Sequence, residues 1–222
     1  MLRRRAVIDL AAFASNMSLS GLSVLDARAD AFGHGLALVA PVALEAGVRG
    51  VVVSDERDAA VAVACGFSSK MVIIDRDGAG AASRAYGLDG VGIAVMSVIG
   101  EVVAVKSVAE GAGVSYGYTY RTASATQLAL VALGYADGVP RLASNRAQVM
   151  VGGGRYPLVG RVAMDQFVVD CGDDVPELGS DAVLFGDPSR GEPSALDWAE
   201  WTERDALALT AGIASRVNRV AR

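Results

Sequence analysis

The segment from residue 26 to residue 35 reads DARADAFGHG and contains the only histidine of the chain, His34. A histidine can act as a general base and an arginine such as Arg28 can bind an anion, so two groups capable of chemistry lie close together here. A lone histidine between two glycines is, however, typical of a hydrogen-bonded turn residue. We therefore interpret His34 as structural, and Arg28 either as a contact to a phosphate or carboxylate or as a structural residue.

Three later segments carry tyrosine, methionine and carboxylate side chains beside strand-like runs. They are VSYGYTYRT from 114 to 122, LGYADGVPR from 133 to 141 and VGRVAMDQFVVD from 159 to 170. Asp137 and Gly138 suit a turn that ends a strand. The chain contains no P-loop, GxSxG elbow or Rossmann glycine pattern. Cys65 and Cys171 fit neither a disulfide framework nor the spacing of a metal site, so we predict no metal.

Composition limits the classes of partner. The formal charge of the 222 residues is −5 and the pI is near 4.9, which argues against nucleic-acid binding. Mean hydropathy is +0.37, yet the longest uncharged stretch, Leu10 to Leu25, has only 16 residues and is interrupted by polar ones. Asp9 breaks the apolar region that a signal peptide would need. We therefore predict no membrane span and a cytoplasmic protein.

The elements that must position these residues change in type along the chain. Up to about Gly90, strand-like and helix-like runs alternate, which predicts parallel strands with right-handed crossovers. The runs are GLSVLDARA, GLALVAPVALEAG, GVVVSD, ERDAAVAVACG and KMVIID, with GAGAASRAYG as one further short helix.

After Gly90 the strand-like pieces are separated by Gly, Asp and Pro turns, which predicts an antiparallel β-rich domain with a hairpin at Gly152 to Gly154. A helix is predicted from Ser194, where Ser-x-x-Asp resembles a capping box, to about Gly212. The basic tail SRVNRVAR is predicted to be a final strand. We place the domain boundary between residues 1–90 and 91–222.

Several of these motifs resemble the alanine racemase family of enzymes dependent on pyridoxal 5′-phosphate (PLP). RADAFGHG is similar to the family pattern KADAYGHG, and the three segments above are similar to family signatures in the right order. The opening RAVIDLAAFASN and the late RVNRV also resemble the two ends of the family sequence.

The resemblance implies a fold, a dimer and roles for individual residues. It implies an N-terminal (β/α)₈ barrel that carries PLP, a β-rich second domain, and a homodimer whose sites are shared between subunits. Tyr116 corresponds to the base supplied by the partner subunit. Met164 and Asp165 correspond to residues that hold the substrate carboxylate, and Tyr135 corresponds to a residue at the site entrance.

The cofactor anchor departs from the family pattern. Arg28 stands where the family has the lysine that forms an imine with PLP, and a guanidinium is a poor nucleophile that stays protonated near pH 7. Phe32 replaces a tyrosine whose hydroxyl would face the cofactor phosphate, so we regard Phe32 and His34 as a vestigial cofactor site. Neither Lys70 nor Lys106, the only lysines, occupies the imine position, although covalent use of one of them stays open.

The length of the first domain also predicts an incomplete cofactor site. A closed (β/α)₈ barrel needs roughly 250 residues, whereas only 74 residues separate Leu22 from Val95 inclusively. We predict an α/β plus β protein: a truncated, unclosed (β/α) barrel fragment of about three parallel strands, followed by an antiparallel β-rich domain of the alanine racemase type. An unpaired strand edge favours association.

These observations lead to three functional hypotheses. The first is a catalytically inactive member of the family, a pseudoenzyme that binds no PLP and forms a homodimer. The second is a regulatory partner that pairs through its β-rich domain with a full-length racemase. The third is a weak PLP-dependent racemase that converts L-alanine to D-alanine through another amine.

Overall fold

The computed structural model describes residues 3–76 and 82–222. The helices are α1 (Leu10–Ser20), the single turn α2 (Arg28–Phe32), α3 (Leu36–Glu45), α4 (Glu56–Ala64), α5 (Ala195–Thr202) and α6 (Ala206–Ala211). The strands are β1 (Arg5–Ile8), β2 (Val24–Asp26), β3 (Gly50–Val53), β4 (Val72–Ile74), β5 (Met96–Val108), β6 (Gly113–Val114), β7 (Tyr120–Arg121), β8 (Thr126–Val131), β9 (Gln148–Val151), β10 (Gly154–Val159), β11 (Phe167–Asp170), β12 (Asp181–Phe185) and β13 (Asn218–Ala221).

The first sheet contains three parallel strands in the order β2-β3-β4, as the alternating pattern predicts. Helices α3 and α4 make the two crossovers between them. Asp55 caps α4 by accepting the Asp58 N–H at 2.9 Å, and the helix ends before Gly66, whose φ is +112°. Apolar side chains of strands and helices, such as Leu25, Val51 and Val39, are fully buried between the layers.

The second sheet has eight strands in the order β12-β9-β10-β11-β8-β5-β1-β13. Strand β12 also pairs with β5, so six of these strands, from β5 through β12, β9, β10 and β11 to β8, close into a barrel. Closure is possible because β5 has 13 residues: residues 96–99 pair with β1, residues 98–101 with β12 and residues 102–108 with β8. The predicted antiparallel β-rich domain and its hairpin at Gly152 are confirmed.

The opening of the chain also enters this large sheet. Strand β1 pairs antiparallel with β5 and parallel with β13, so both ends of the described chain meet at one side of the barrel. The boundary at residue 90 stays a prediction, but β1, which it assigns to the first part, is hydrogen-bonded within the sheet of the second. Helix α1 follows at once, because Asp9 accepts the Ala12 N–H at 2.8 Å.

Two helix predictions need correction. The helix predicted from Ser194 to Gly212 is two helices, α5 and α6, since Glu203 adopts φ +53° and Asp205 starts a new helix by accepting two backbone N–H groups. The capping box of Ser194 and Asp197 is present. Of the short helix predicted over residues 78–87, residues 78–81 lie outside the described part, and residues 83–87 form turns.

Strand β4 lies at the edge of the three-stranded sheet. Ile73 and Ile74 on this strand are 50% and 48% exposed. An exposed apolar edge strand is a template for association, which is the property expected from the short first domain. Within the described residues, no helix is long and apolar enough to cross a membrane.

Candidate functional site

Arg28 lies directly after β2, where the chain enters the turn α2. Its Nε donates to Oδ1 of Asp26 at 2.9 Å, and its Nη2 donates to Oδ2 of the same carboxylate at 2.6 Å. The exposed fractions of the two side chains are only 14% and 9%. Two-point pairing fixes the plane of the guanidinium. Arg28 therefore faces a carboxylate two residues earlier in the chain.

The turn α2 is left-handed, with φ between 51° and 55° at residues 29–31. Each non-glycine residue in this conformation raises the free energy of the fold by roughly 1–2 kcal/mol, so contacts with neighbouring groups must stabilise the turn. Three hydrogen bonds do so: the Ala29 N–H to Ser54 Oγ (2.8 Å), the Leu36 N–H to Asp30 Oδ1 (2.7 Å) and Arg219 Nε to the Gly33 carbonyl (2.9 Å).

Gly33 ends this turn at a place where only glycine fits. Its φ is +79°, and a Cβ there would lie 2.2 Å from the carbonyl oxygen of Thr210 in α6. A side chain would have to displace backbone. The glycine therefore allows α6 to pack directly on the segment that contains Arg28 and His34.

His34 is completely buried and packs in an aromatic cluster. Its Nδ1 lies 3.0 Å from the Ala31 carbonyl oxygen, and its Nε2 has no hydrogen-bond partner among the described residues. The ring of Tyr86 is 4.5 Å from that of His34 and 5.6 Å from that of Phe32. Burial lowers the pKa of His34 to about 4, so the ring is neutral at pH 7.

Tyr116 lies in a short 3-10 turn between β6 and β7, which form a separate two-stranded sheet, and is 70% exposed. The preceding Ser115 anchors the turn by donating from Oγ to the Arg161 carbonyl at 2.7 Å. A cavity of about 230 Å³ adjoins Tyr116 and Arg161. Tyr116 lies between β6 and β7, whereas Arg28 directly follows β2 of the three-stranded sheet.

The backbone segment that contains Tyr135 is hydrogen-bonded to the segment that contains Met164. The Tyr135 N–H donates to Ala163 O at 3.0 Å, and the Ala136 N–H donates to Met164 O at 2.9 Å. Tyr135 is 42% and Met164 54% exposed. The Arg141 guanidinium lies 5.8 Å from the centre of the Tyr135 ring. The residues predicted at the site entrance and at the substrate carboxylate thus share one exposed face.

Asp137 lies under this face and is the centre of an ion-pair network. Its side chain is fully buried and accepts from Arg216 Nε at 2.6 Å and from the Gly134 N–H at 2.8 Å, while Arg4 Nε is 3.6 Å away. Arg216 also pairs with Asp165. Asp137 therefore links Arg4, just before β1, to Arg216, before β13. Arg216 extends the network to Asp165, in the loop that also contains Met164.

A family profile described as "Alanine racemase, C-terminal domain" matches residues 95–221, which is more than half of the chain. The chain belongs to the alanine racemase family. The resemblance of the sequence motifs is thereby confirmed. The match coincides with the closed β-barrel together with α5, α6 and β13.

The curated relatives are alanine racemases. The Streptomyces coelicolor enzyme is 52% identical over 126 residues, which are 57% of this chain and 32% of the relative. The Thermobifida fusca enzyme is 50% identical over 135 residues, which are 60% and 36%. The chain thus spans about a third of the length of these relatives.

Solved alanine racemases share the fold. The Streptomyces lavendulae enzyme superposes with a TM-score of 0.85 at 23% identity, covering 100% of this chain and 97% of that one. The Streptomyces coelicolor enzyme gives 0.80 at 25% identity, with 99% and 98% covered.

The residues around Arg28 do not fit the imine through which alanine racemases hold PLP. Arg28, which the motif resemblance aligns with the family lysine, carries a guanidinium already paired with Asp26 and no amine. Lys70 precedes β4, at the opposite end of the parallel sheet from Arg28, and Lys106 lies on β5; both are exposed. The described residues also contain no group of three His, Cys, Asp or Glu side chains that could hold a metal ion.

Sequence reasoning missed three features of this candidate site. Tyr86 donates from its hydroxyl to Asp26 O at 2.8 Å and packs on His34, but no periodicity marks it. Arg216 appeared only within the basic tail, and Arg4 directly precedes the opening segment RAVIDLAAFASN. The resemblance of the opening and late segments to the two ends of the family sequence was the available signal, because Arg4 and Arg216 meet at Asp137.

Proposed function

We propose that this chain is a non-racemising member of the alanine racemase family that forms no PLP imine. The observation that carries the proposal is the two-point pairing of Arg28 with Asp26 at the lysine position. An imine needs a neutral amine, and arginine cannot be deprotonated in proteins. In this proposal the sheet β2-β3-β4 is the remnant of an unclosed (β/α) barrel, and the protein is cytoplasmic.

The aromatic cluster supports the same proposal. Tyr86 and Phe32 pack edge to face at 5.6 Å, and the Tyr86 hydroxyl bonds to the Asp26 carbonyl. These contacts fill the interior beside β2 with side chains. Phe32 and His34 then act as packing groups, and Tyr116 is a base without an acidified substrate proton.

The test is a search for a PLP adduct together with an exchange assay. We expect purified protein incubated with PLP to show no exchange of the alanine α-proton, and therefore no borohydride-trapped adduct that is linked to such exchange. The Streptomyces coelicolor racemase is the positive control. Lys70→Arg and Lys106→Arg variants identify adducts on exposed amines. An adduct without exchange agrees with the proposal. Exchange that is lost in either lysine variant would establish the weak racemase and refute the proposal.

A second candidate is association through the exposed face of Tyr116, Tyr135 and Met164, which meet around Ala163: Tyr116 and Ala163 line one cavity, and the Tyr135 N–H donates to the Ala163 carbonyl. These side chains are 70%, 42% and 54% exposed. All three belong to the part of the chain that matches the family profile. Exposed aromatic and methionine side chains are enriched at protein interfaces. We propose a homodimer through this face and, as an alternative occupant, a full-length racemase whose activity it would change.

The association is tested with surface variants. We expect Tyr116→Arg to weaken dimerisation at least tenfold in light-scattering titrations, because it introduces a charge into an apolar contact. Leu19→Arg, at a position on α1 that is 77% exposed, is the control and leaves the mass unchanged. A wild-type monomer at micromolar concentration contradicts the homodimer. Failure of a co-expressed, tagged full-length racemase to co-purify contradicts the alternative.

A further inference from the structure

The exposed face proposed above for association is rich in arginine. Arg161 lines the cavity beside Tyr116, whereas Arg141 and Arg204 line a second cavity, of about 380 Å³, beside Tyr135. All three arginines are exposed. Among the described residues, none of the three makes an ion pair. The face therefore presents three positive charges to its surroundings.

The carboxylates on the neighbouring segments are already engaged. Asp165 pairs with Arg216, and Glu203 pairs with Arg146. Asp205 caps α6 by accepting two backbone N–H groups. If two copies met with this face against itself, the three arginines of each copy would oppose one another. The face is therefore better matched by a different, acidic surface of its partner.

The same chain carries an acidic surface in the loop of residues 172–179, which contains three carboxylates and no lysine or arginine. Within the described part of the chain, the exposed side chains of Asp173 and Glu177 make neither an ion pair nor a hydrogen bond. Val175 and Leu178 on the same loop are 70% and 63% exposed. A loop that combines carboxylates with apolar side chains is complementary to a face that combines arginines with tyrosine and methionine.

Strand β11 separates the face from the loop by a fixed distance. Met164 of the face lies three residues before the strand begins at Phe167, and the loop starts two residues after the strand ends at Asp170. Four strand residues span roughly 14 Å. Tyr120 of β7 donates from its hydroxyl to Asp170 at 2.7 Å, which holds the segment containing Tyr116 near the same strand. Two copies with antiparallel β11 strands would thus bring each face to the other's loop and form a closed dimer.

We propose that the acidic loop of residues 172–179 docks on the arginine-rich face of a second copy of this chain. Its carboxylates pair with Arg141, Arg161 and Arg204, while Val175 and Leu178 cover the exposed aromatic and methionine side chains. The apolar contact supplies affinity, and the charges select which surfaces meet. This inference rests on the proposed homodimer and names the surface that its face contacts.

Charge reversal on one surface at a time tests this arrangement. The face variant combines Arg141→Glu with Arg161→Glu, and the loop variant combines Asp173→Arg with Glu177→Arg. Each variant alone should dimerise at least about tenfold more weakly than the wild type in light-scattering titrations, because like charges then face each other. An equimolar mixture of the two variants should recover the dimer, since each subunit offers the charges that the other now needs on both surfaces.

The control variant combines Arg49→Glu with Arg57→Glu, which changes the net charge as much as the face variant does. Both arginines are exposed and lie outside the two surfaces, so the dimer should be unaffected. Dimers that persist in the face and loop variants would overturn the docking and leave the homodimer standing. A mixture no more dimeric than its components would also overturn the docking. A wild-type monomer would refute the homodimer itself, and the docking with it.

Discussion

Replacing Asp137 with alanine is expected to lower the free energy of unfolding by about 1–3 kcal/mol, the usual cost of leaving a buried hydrogen-bond donor without its acceptor. The variant would leave Arg4 and Arg216 without their shared carboxylate and the Gly134 N–H without an acceptor. Natural domains are stable by only about 5–15 kcal/mol, so this loss is large. Urea denaturation of wild type and variant measures it.

Asp165→Ala is the matched control for this prediction. Asp165 binds the same arginine, Arg216, but its side chain is 53% exposed, and exposed ion pairs contribute about 0–1 kcal/mol. Asp137→Asn keeps an acceptor for the Gly134 N–H and provides a milder variant if the alanine protein does not fold. Equal small losses for Asp137→Ala and Asp165→Ala would show that the network does not hold the two ends of the chain.

Acidification is expected to destabilise the protein through His34 before the carboxylates titrate. Its pKa is about 4 in the folded protein, chiefly because of burial and also because of the Arg219 charge, against 6.5 when unfolded. Between these two values the unfolded chain binds a proton that the folded chain excludes. The free energy of unfolding should therefore fall by about 1.4 kcal/mol per pH unit, roughly 3 kcal/mol in all.

Chemical denaturation at pH 7, 6, 5.5 and 5 measures this slope. His34 is the only histidine, so His34→Gln should be less stable at pH 7 but nearly independent of pH over the same range. The carboxyl groups with lowered pKa values, such as Asp89 at about 2, titrate below this window. Parallel curves for wild type and His34→Gln would exclude the buried histidine as the source of acid sensitivity.

Local sequence predicted most of the individual elements. The alternation of strands and helices up to β4, the hairpin at Gly152 and the capping box at Ser194 depend on periodicity and turn residues within a few positions of each other. The split between α5 and α6 was missed because Glu203 is not a typical left-handed residue. Its φ of +53° is fixed by the helices that pack on either side.

The site was only partly predictable for the same reason. The resemblance of DARADAFGHG to the family motif predicts that arginine stands at the lysine position, since that information is contained in one segment. The segment did not reveal that Arg28 turns to Asp26, that Tyr86 packs on His34, or that Arg219 holds the Gly33 carbonyl. The last two contacts join residues far apart in sequence.

What the sequence determined by itself was therefore the family and the two types of secondary structure, and its motif resemblance predicts arginine at the lysine position. Tertiary structure alone decided that β5 and β12 close the barrel, that Arg4 and Arg216 meet at Asp137 and that Arg219 holds the Gly33 carbonyl. Short-range patterns set local conformation, whereas strand closure and charge burial depend on contacts between residues separated by up to two hundred positions, which no local pattern encodes.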